Sequence, residues 1–110
     1  NRQEAFNAFH KERAKGQLRG LGVAFYTKLI CFFAPKLNGY IMDQWTSKSI
    51  NLMFDDQLVK LYGKLVIDKN TAAIYEVFCK RIEILSEELH IQPLEAEERI
   101  FSSKAGTWRK

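Results

Sequence analysis

Two features of this chain have residue types and spacing that can do chemistry: a glycine-rich turn and a later aspartate. Residues 18–22 read Leu-Arg-Gly-Leu-Gly, and Asp43 follows after an apolar segment and a second turn. Glycine has no Cβ, so a backbone containing it can turn tightly and let a ligand approach closely. A carboxylate can stabilise a developing positive charge or activate a water or an amine. The glycine-rich turn and Asp43 together predict a site where backbone N–H groups bind a phosphate next to a carboxylate.

The backbone amides of the turn are the phosphate-binding part of this interpretation. We expect a helix to begin at Gly22, so that the N–H groups of Gly22, Val23 and Ala24 are its unpaired first donors. Such donors, with the helix dipole behind them, bind phosphate well, and the contact is independent of base sequence. The candidate phosphate-binding residues are Arg19, Gly20, Leu21, Gly22, Val23 and Ala24. The plain alternative is a tight corner between two helices with no ligand.

Apolar periodicity predicts the helices that position these residues. A first amphipathic helix over 3–15 ends at a glycine, and a second, strongly apolar helix over 22–34 ends at a proline. A third runs from about Asp43 to residue 54, and capping of its N-terminus is the plain alternative to a chemical role for Asp43. The remaining predicted elements are a short helix at 57–63, a helix at 71–90 and a last helix from Pro93. Residues 65–67 are predicted either to form a strand or to lead into the cap of the helix at 71–90.

The bulk composition indicates one globular, all-α domain. The chain has 110 residues, of which 46% are apolar and 27% charged, enough for one hydrophobic core. Within a single domain at 1–110 we place a helix-hairpin-helix at about 4–34, an aspartate-bearing segment at about 39–54 and C-terminal helices at about 71–105. The chain begins at Asn1 rather than at a methionine, and we expect it to be part of a larger protein. Neither a membrane-spanning run nor a signal peptide is predicted.

The charge distribution is compatible with a polyanionic partner. The net charge is +4 with a pI of about 9.1. Basic residues concentrate at 10–19, beside the glycine turn, and acidic residues concentrate at 83–98. This asymmetry is what a nucleic-acid-binding face would show, although a solvated helix surface explains it equally well.

The cysteines and histidines predict no metal site. Cys31 and Cys79 lie in apolar helical contexts and form no paired motif, so we expect buried free thiols and a reducing cytoplasm. His10 and His90 are far apart and lack the spacing of metal ligands. No nucleotide fingerprint is present. We therefore expect no metal and no small-molecule cofactor.

The glycine turn, the apolar helix and Asp43 together resemble the helix-hairpin-helix DNA glycosylases. The resemblance is strongest to the 8-oxoguanine DNA glycosylase branch and its bacterial OGG-like relatives, and it covers mainly residues 4–54. It implies that the hairpin holds the backbone of duplex DNA and that a damaged base is flipped into a pocket. It also implies that Asp43 is essential for cleaving the glycosidic bond, and that the protein is cytoplasmic (nucleoid-associated in a bacterium). Aromatic and amide side chains suited to such a pocket are Tyr40, Gln44, Trp45 and Trp108.

Three positions depart from the pattern of these glycosylases. Ala24 stands where bifunctional members carry a lysine nucleophile, Ile41 replaces a proline, and Trp45 replaces a phosphate-contacting histidine. Lys28 lies one helical turn after Ala24 on the same face. Partial burial of its amine would favour the uncharged, nucleophilic form, so Lys28 is a candidate Schiff-base nucleophile for lyase activity. The alternative is a lysine that reaches solvent from the edge of the helix.

Three functional classes remain open from the sequence. The first is a base-excision glycosylase, with or without lyase activity, that acts on a damaged and possibly oxidised base. The second is a helix-hairpin-helix module that binds DNA without chemistry. The third is a helical protein-interaction domain. Dependence on Asp43 separates the first from the second, and salt-sensitive DNA affinity separates the second from the third.

Overall fold

The described part of the chain is mainly helical. In the computed structural model, which describes residues 1–16, 22–63, 65–93 and 95–96, those residues form four α-helices, one short 3-10 helix and two short strands. The elements are α1 (Arg2–Ala14), α2 (Val23–Phe33), the 3-10 helix (Pro35–Leu37), α3 (Gln44–Met53), β1 (Leu61–Tyr62), β2 (Leu65–Val66) and α4 (Ala72–Leu89). The all-α prediction is thus confirmed, with a two-stranded antiparallel sheet added. The predicted hairpin residues 17–21 and most of the predicted last helix lie outside the described residues.

The predicted short helix at 57–63 is wrong, because this segment leads into a β-hairpin. Leu61 pairs with Val66 and Tyr62 with Leu65. The side-chain amides of two asparagines, one buried and one half-buried, hold residues 59–60 in an extended conformation. The side chain of Asn51 is hydrogen-bonded to both the N–H and the carbonyl of Val59, each at 3.0 Å. Asn70 does the same for Lys60, each at 2.8 Å.

The core lies between α1, α2 and α4 and is rich in aromatic rings. Phe6 on α1 is fully buried and lies 5.2 Å from the ring of Tyr26 and 5.0 Å from that of Tyr75, between ring centroids. Aromatic pairs at this separation add to the stabilisation from burial. Further fully buried side chains from α3 and α4 complete the core: Ile50, Phe78, Cys79 and Ile82. Burial raises the pKa of the Cys79 thiol to about 12, whereas Cys31 is only half-buried, against the expectation of two buried thiols; neither cysteine forms a disulfide.

A nearly buried arginine fastens α1 to α4. Arg2 is only 8% exposed. Its Nε and Nη2 donate to the two carboxylate oxygens of Glu76 at 2.8 Å, and its Nη1 donates to Glu83 at 2.9 Å. The hydrogen bond from Arg2 lowers the pKa of Glu76 below its usual value, and the carboxylates raise the pKa of Arg2 further. Arg2 also donates to the carbonyl of Asn38 at 2.7 Å, which ties the loop after α2 into the same network.

The segment between the 3-10 helix and α3 is fixed at several points before it reaches Asp43. Tyr75 donates from its hydroxyl to the carbonyl of Tyr40 at 2.8 Å, and the Tyr40 hydroxyl donates to Glu83 at 3.1 Å. Gly39 packs so closely that an added Cβ would lie 2.5 Å from Cγ2 of Ile30. Glycine is therefore required here by close approach, and the path of the chain into α3 is rigidly defined.

Candidate nucleic-acid interface

Asp43 is the N-cap of α3. Its Oδ1 accepts hydrogen bonds from the N–H groups of Trp45 and Thr46, both at 2.9 Å. The Thr46 side chain accepts in return from the Asp43 N–H at 3.1 Å, which completes a capping box. Asp43 is 8% exposed, so the arrangement is largely shielded from water. Asp43 therefore has the capping role that the sequence offers as the plain alternative to a chemical role. All hydrogen bonds that its carboxylate accepts from described residues go to Oδ1.

The carboxylate lies beside the first turns of α2. Met42, which immediately precedes Asp43, donates its N–H to Oγ1 of Thr27 at 3.0 Å. Thr27 is fully buried and donates its own hydroxyl to the carbonyl of Ala24 at 3.1 Å. Thr27 is four residues after Val23, where α2 begins, a rise of about 6 Å along the helix. The contact therefore brings the backbone next to Asp43 to within about one turn of the N-terminus of α2.

Among the described residues, no side chain covers the N-terminus of α2. Its N-cap is Gly22, which supplies no side-chain hydrogen bond to the first turn. An added Cβ at Gly22 would have no heavy atom within 4 Å. The N–H groups of Phe25 and Tyr26 both bond to the carbonyl of Gly22, and the amides of Val23 and Ala24 precede this first pairing. A helix start with these features can accept an anion on its free donors.

Lys28 does not meet the expectation of burial. Its side chain is exposed on α2, because the buried face of that helix is formed by Val23, Tyr26, Thr27 and Ile30. Lys28 follows Thr27 by one residue and so points about 100° away from the side that faces Met42. The expected partial burial of Lys28 is therefore wrong, and a nucleophilic role for Lys28 stays an untested prediction.

The four residues predicted for a base pocket lie in different surroundings. The ring of Tyr40 is 3% exposed and packs in the core, so it presents no free face to a base, and burial raises the pKa of its hydroxyl. Gln44 is partly buried, and its Oε1 has no hydrogen-bond partner within the described ranges. Trp45 is 42% exposed, with Nζ of Lys48 lying 5.6 Å from its ring centroid. Gln44 and Trp45 therefore directly follow Asp43 in the first turn of α3. Trp108 lies outside the described residues.

Basic side chains gather at the end of α1 that leads into the glycine turn. Arg13 contacts both carboxylate oxygens of Asp68 at 2.8 Å, and Lys15 lies 3.7 Å from Glu12. Lys11 is exposed, and no ion pair joins it to another described residue. The same end of α1 reaches α2, because Nδ1 of His10 is hydrogen-bonded to the hydroxyl of Tyr26 at 3.0 Å. The basic end of α1 and the open end of α2 are thus neighbours.

Sequence reasoning missed the two residues that position the aspartate segment. Thr27 is a β-branched polar residue on the buried face of an otherwise apolar helix, which is a signal that a hydroxyl has a buried partner. Arg2 gave no comparable signal, since a charged residue at the start of an amphipathic helix is ordinarily solvated. Only the fold brings its carboxylate partners from α4 to it.

Within residues 1–16, 22–63, 65–93 and 95–96, no three side chains of His, Cys, Asp or Glu are grouped so that they could hold a metal ion. No described helix combines the length and apolar character needed to cross a bilayer.

A family model identifies the class of protein. The model described as "Putative 8-oxoguanine DNA glycosylase OGG-like protein" matches residues 1–101, which includes the glycine turn, Asp43 and α4. A search of curated proteins and a search of solved structures each found no match. Because the family match extends over almost the whole sequence, this chain belongs to the OGG-like protein family that this model describes.

Proposed function

We propose that this protein is a DNA glycosylase that binds duplex DNA at the N-terminus of α2 and cleaves the N-glycosidic bond of a damaged base with the help of Asp43. The observation that carries the proposal is the hydrogen bond between Met42 and Thr27, which holds Asp43 about one turn from the open end of α2. A phosphate bound at that end would bring the neighbouring sugar towards the carboxylate. Family membership supports DNA as the partner.

The carboxylate has one oxygen assigned to structure and one available for chemistry. Oδ1 of Asp43 accepts the capping hydrogen bonds, while Oδ2 has no partner among the described residues. As the C1′–N bond breaks, its electron pair leaves with the base and positive charge develops on the sugar. Asp43 stabilises that charge. Water then adds at C1′, and its proton passes to the carboxylate or to the departing base.

Two residues at the start of α3 are suited to reading the flipped base. The buried Oε1 of Gln44 lacks a partner among the described residues, and an unpaired buried acceptor is costly unless a ligand supplies the donor. Trp45 is 42% exposed, and its indole ring is the kind of side chain on which a flipped base can stack. We propose that these two residues contact the base, with Trp108 as an untested further member.

Lyase activity is a separate proposal that depends on Lys28. Its exposed amine would attack C1′ of an abasic sugar, with loss of water, to form a Schiff base. Borohydride would reduce that imine to a stable protein–DNA adduct. We expect trapping with the wild-type chain and none with Lys28→Ala. An equal yield of adduct from Lys28→Ala would remove Lys28 from the mechanism without affecting the role of Asp43.

Glycosylase activity is tested by product formation on duplexes carrying 8-oxoguanine or other damaged bases. Alkali-labile abasic sites should form with the wild-type chain and fall by at least a hundredfold with Asp43→Asn. Asp55→Asn is the matched control, because Asp55 is exposed and adopts a left-handed conformation that asparagine tolerates. Salt-sensitive DNA binding that survives Asp43→Asn, with no product from either chain, would instead indicate a non-catalytic DNA-binding module. Absence of any DNA affinity at physiological salt would favour the protein-interaction domain.

The location of the protein follows from the same proposal. An enzyme that repairs DNA acts where the DNA is, and two cysteines that form no disulfide fit a reducing compartment. We propose a cytoplasmic location, at the nucleoid in a bacterium.

A further inference from the structure

The tip of the β1–β2 hairpin presents an exposed apolar pair. Tyr62 is 79% exposed and faces Leu65, which is 59% exposed, directly across the two strands. Gly63 follows Tyr62 with a φ of +60°, the conformation that a tight hairpin turn requires. A large aromatic and a leucine side by side at a tip contribute little to the core and are available to a partner.

The base of the hairpin is firmly held, so the position of its tip is defined. Asn70 is fully buried and donates from its side chain to the carbonyls of Lys60 and Ile67, both at 2.8 Å. Val66 on β2 is 3% exposed and belongs to the core. The exposed pair therefore projects from an anchored base.

The turn that follows the hairpin is tied to the end of α1 that adjoins α2. Asp68, three residues after Leu65, pairs with Arg13 in the last turn of α1. His10, three residues before Arg13, is hydrogen-bonded to the hydroxyl of Tyr26 on α2 at 3.0 Å. Burial raises the pKa of that hydroxyl, and the charge of Asp68 raises it further. Asp68 is only three residues after Leu65, so their Cα atoms are separated by at most about 10 Å, the length of three extended residues.

Positive charge surrounds this side of the molecule. Within the described ranges, Lys11, Lys60 and Lys69 are exposed and none is joined to a carboxylate by an ion pair. Nearby Asp68 is neutralised by Arg13, and Glu12 lies near Lys15. An apolar tip set among lysines fits a partner that combines negative charge with flat apolar faces, which is the surface that nucleic acid offers once bases are unstacked.

We propose that Tyr62 and Leu65 form a wedge that inserts among the bases of the bound duplex, while Lys60 and Lys69 contact its phosphates. The inference rests on the proposed DNA binding and adds a second contact to the one at α2. Tyr62 stacks on a base exposed by the distortion, and Leu65 fills the adjoining space. The contact is made with π-faces and apolar edges, so it requires no particular base sequence.

DNA affinity measured by fluorescence anisotropy across a series of salt concentrations tests the wedge. We expect Tyr62→Ala to weaken binding roughly tenfold, the loss typical of one base stacked on an aromatic side chain, with the salt dependence unchanged because no charge is removed. Tyr62→Phe should retain the affinity. Lys60→Gln and Lys69→Gln should each weaken binding and reduce the salt slope by about one. Phe33→Ala is the matched control, because Phe33 is 81% exposed at the opposite end of α2.

The outcomes separate the wedge from the function on which it rests. Wild-type affinity in Tyr62→Ala would contradict the wedge alone, and so would an equal loss in Phe33→Ala. A loss in Tyr62→Phe as large as that in Tyr62→Ala would also contradict stacking. A chain dimer, seen by sedimentation and abolished by Tyr62→Ala, would assign the tip to a second copy instead. Failure of the wild-type chain to bind any duplex would contradict both proposals.

Discussion

Thr27 and Met42 are joined by a hydrogen bond of 3.0 Å from the Met42 N–H to the Thr27 hydroxyl, and this bond sets where Asp43 lies. Thr27 is on the buried face of α2, and Met42 is the last residue before the N-cap of α3. One side chain therefore connects the helix whose open end binds phosphate in our proposal to the carboxylate that acts on the sugar. Disturbing it should alter both stability and activity.

Replacing Thr27 by valine tests this connection. The substitution keeps the shape of the side chain but leaves the buried N–H of Met42 without its acceptor, which typically costs about 1–3 kcal/mol. We expect urea denaturation to show that loss and product formation to fall as well. Thr27→Ser keeps the hydroxyl and should preserve activity at a smaller cost in stability. Equal activity in Thr27→Val and the wild-type chain would show that the position of Asp43 does not depend on this bond.

Substitutions at Asp43 separate capping from chemistry. Asparagine is as good an N-cap as aspartate, so Asp43→Asn should unfold at nearly the wild-type urea concentration while losing product formation. Asp43→Ala removes the acceptor for two backbone N–H groups and should cost about 1–2 kcal/mol. If Asp43→Asn retained activity, the carboxylate would have only its structural role.

The long helices were predictable because their apolar periodicity is local. α1, α2, α3 and α4 begin and end within about a residue of the predicted bounds. The β-hairpin was missed at 57–63 because Asn51 and Asn70 bind backbone groups eight and ten residues away. No local pattern encodes such pairings, which override the helical preference of the segment.

The candidate site was predictable in part for the same reason. The spacing from the glycine turn to Asp43 can be read directly from the sequence, and both features lie within the residues 1–101 that the family model matches. The exposure of Lys28 and the burial of Tyr40 depend on which helix faces pack together. Which side chains are buried depends on tertiary contacts, such as the hydrogen bond from the Tyr40 hydroxyl to Glu83.

Gly39 should not tolerate a side chain. A Cβ there would lie 2.5 Å from Cγ2 of Ile30 and 2.8 Å from the hydroxyl of Tyr75. Overpacking of this kind costs about 1–3 kcal/mol, and it would also displace the hydroxyl that holds the chain before Asp43. We expect Gly39→Ala to lower the unfolding midpoint and the activity together. A stable, fully active Gly39→Ala would show that this segment can shift freely.

Gly22 offers the opposite test, since space around it is open. An added methyl group meets no atom of the described chain, so Gly22→Ala should change stability by only a few tenths of a kcal/mol up to about 1 kcal/mol, through the cap. The methyl would occupy the space through which a phosphate approaches the amides of α2. We therefore expect weaker DNA binding in an anisotropy titration with little change in folding. Unchanged affinity would place the phosphate contact elsewhere.

Acid should weaken the network of Arg2 in a defined direction. The hydrogen bond from Arg2 lowers the pKa of Glu76 in the folded state. In the unfolded state the pKa of this carboxyl is about 4.3, so on acidification the unfolded state binds a proton there first. The stabilisation is therefore complete above about pH 4.3 and is lost as pH falls through the lower pKa of the folded state.

Glu76→Gln removes this contribution, and we expect the variant to be less stable than the wild-type chain by about 1–3 kcal/mol at pH 7, with a shallower loss of stability on acidification. Denaturation midpoints between pH 7 and pH 2 measure this, with Glu88→Gln, an exposed position on α4, as the charge-matched control. Parallel acid profiles for Glu76→Gln and the wild-type chain would show that the ion pair contributes nothing to the pH dependence.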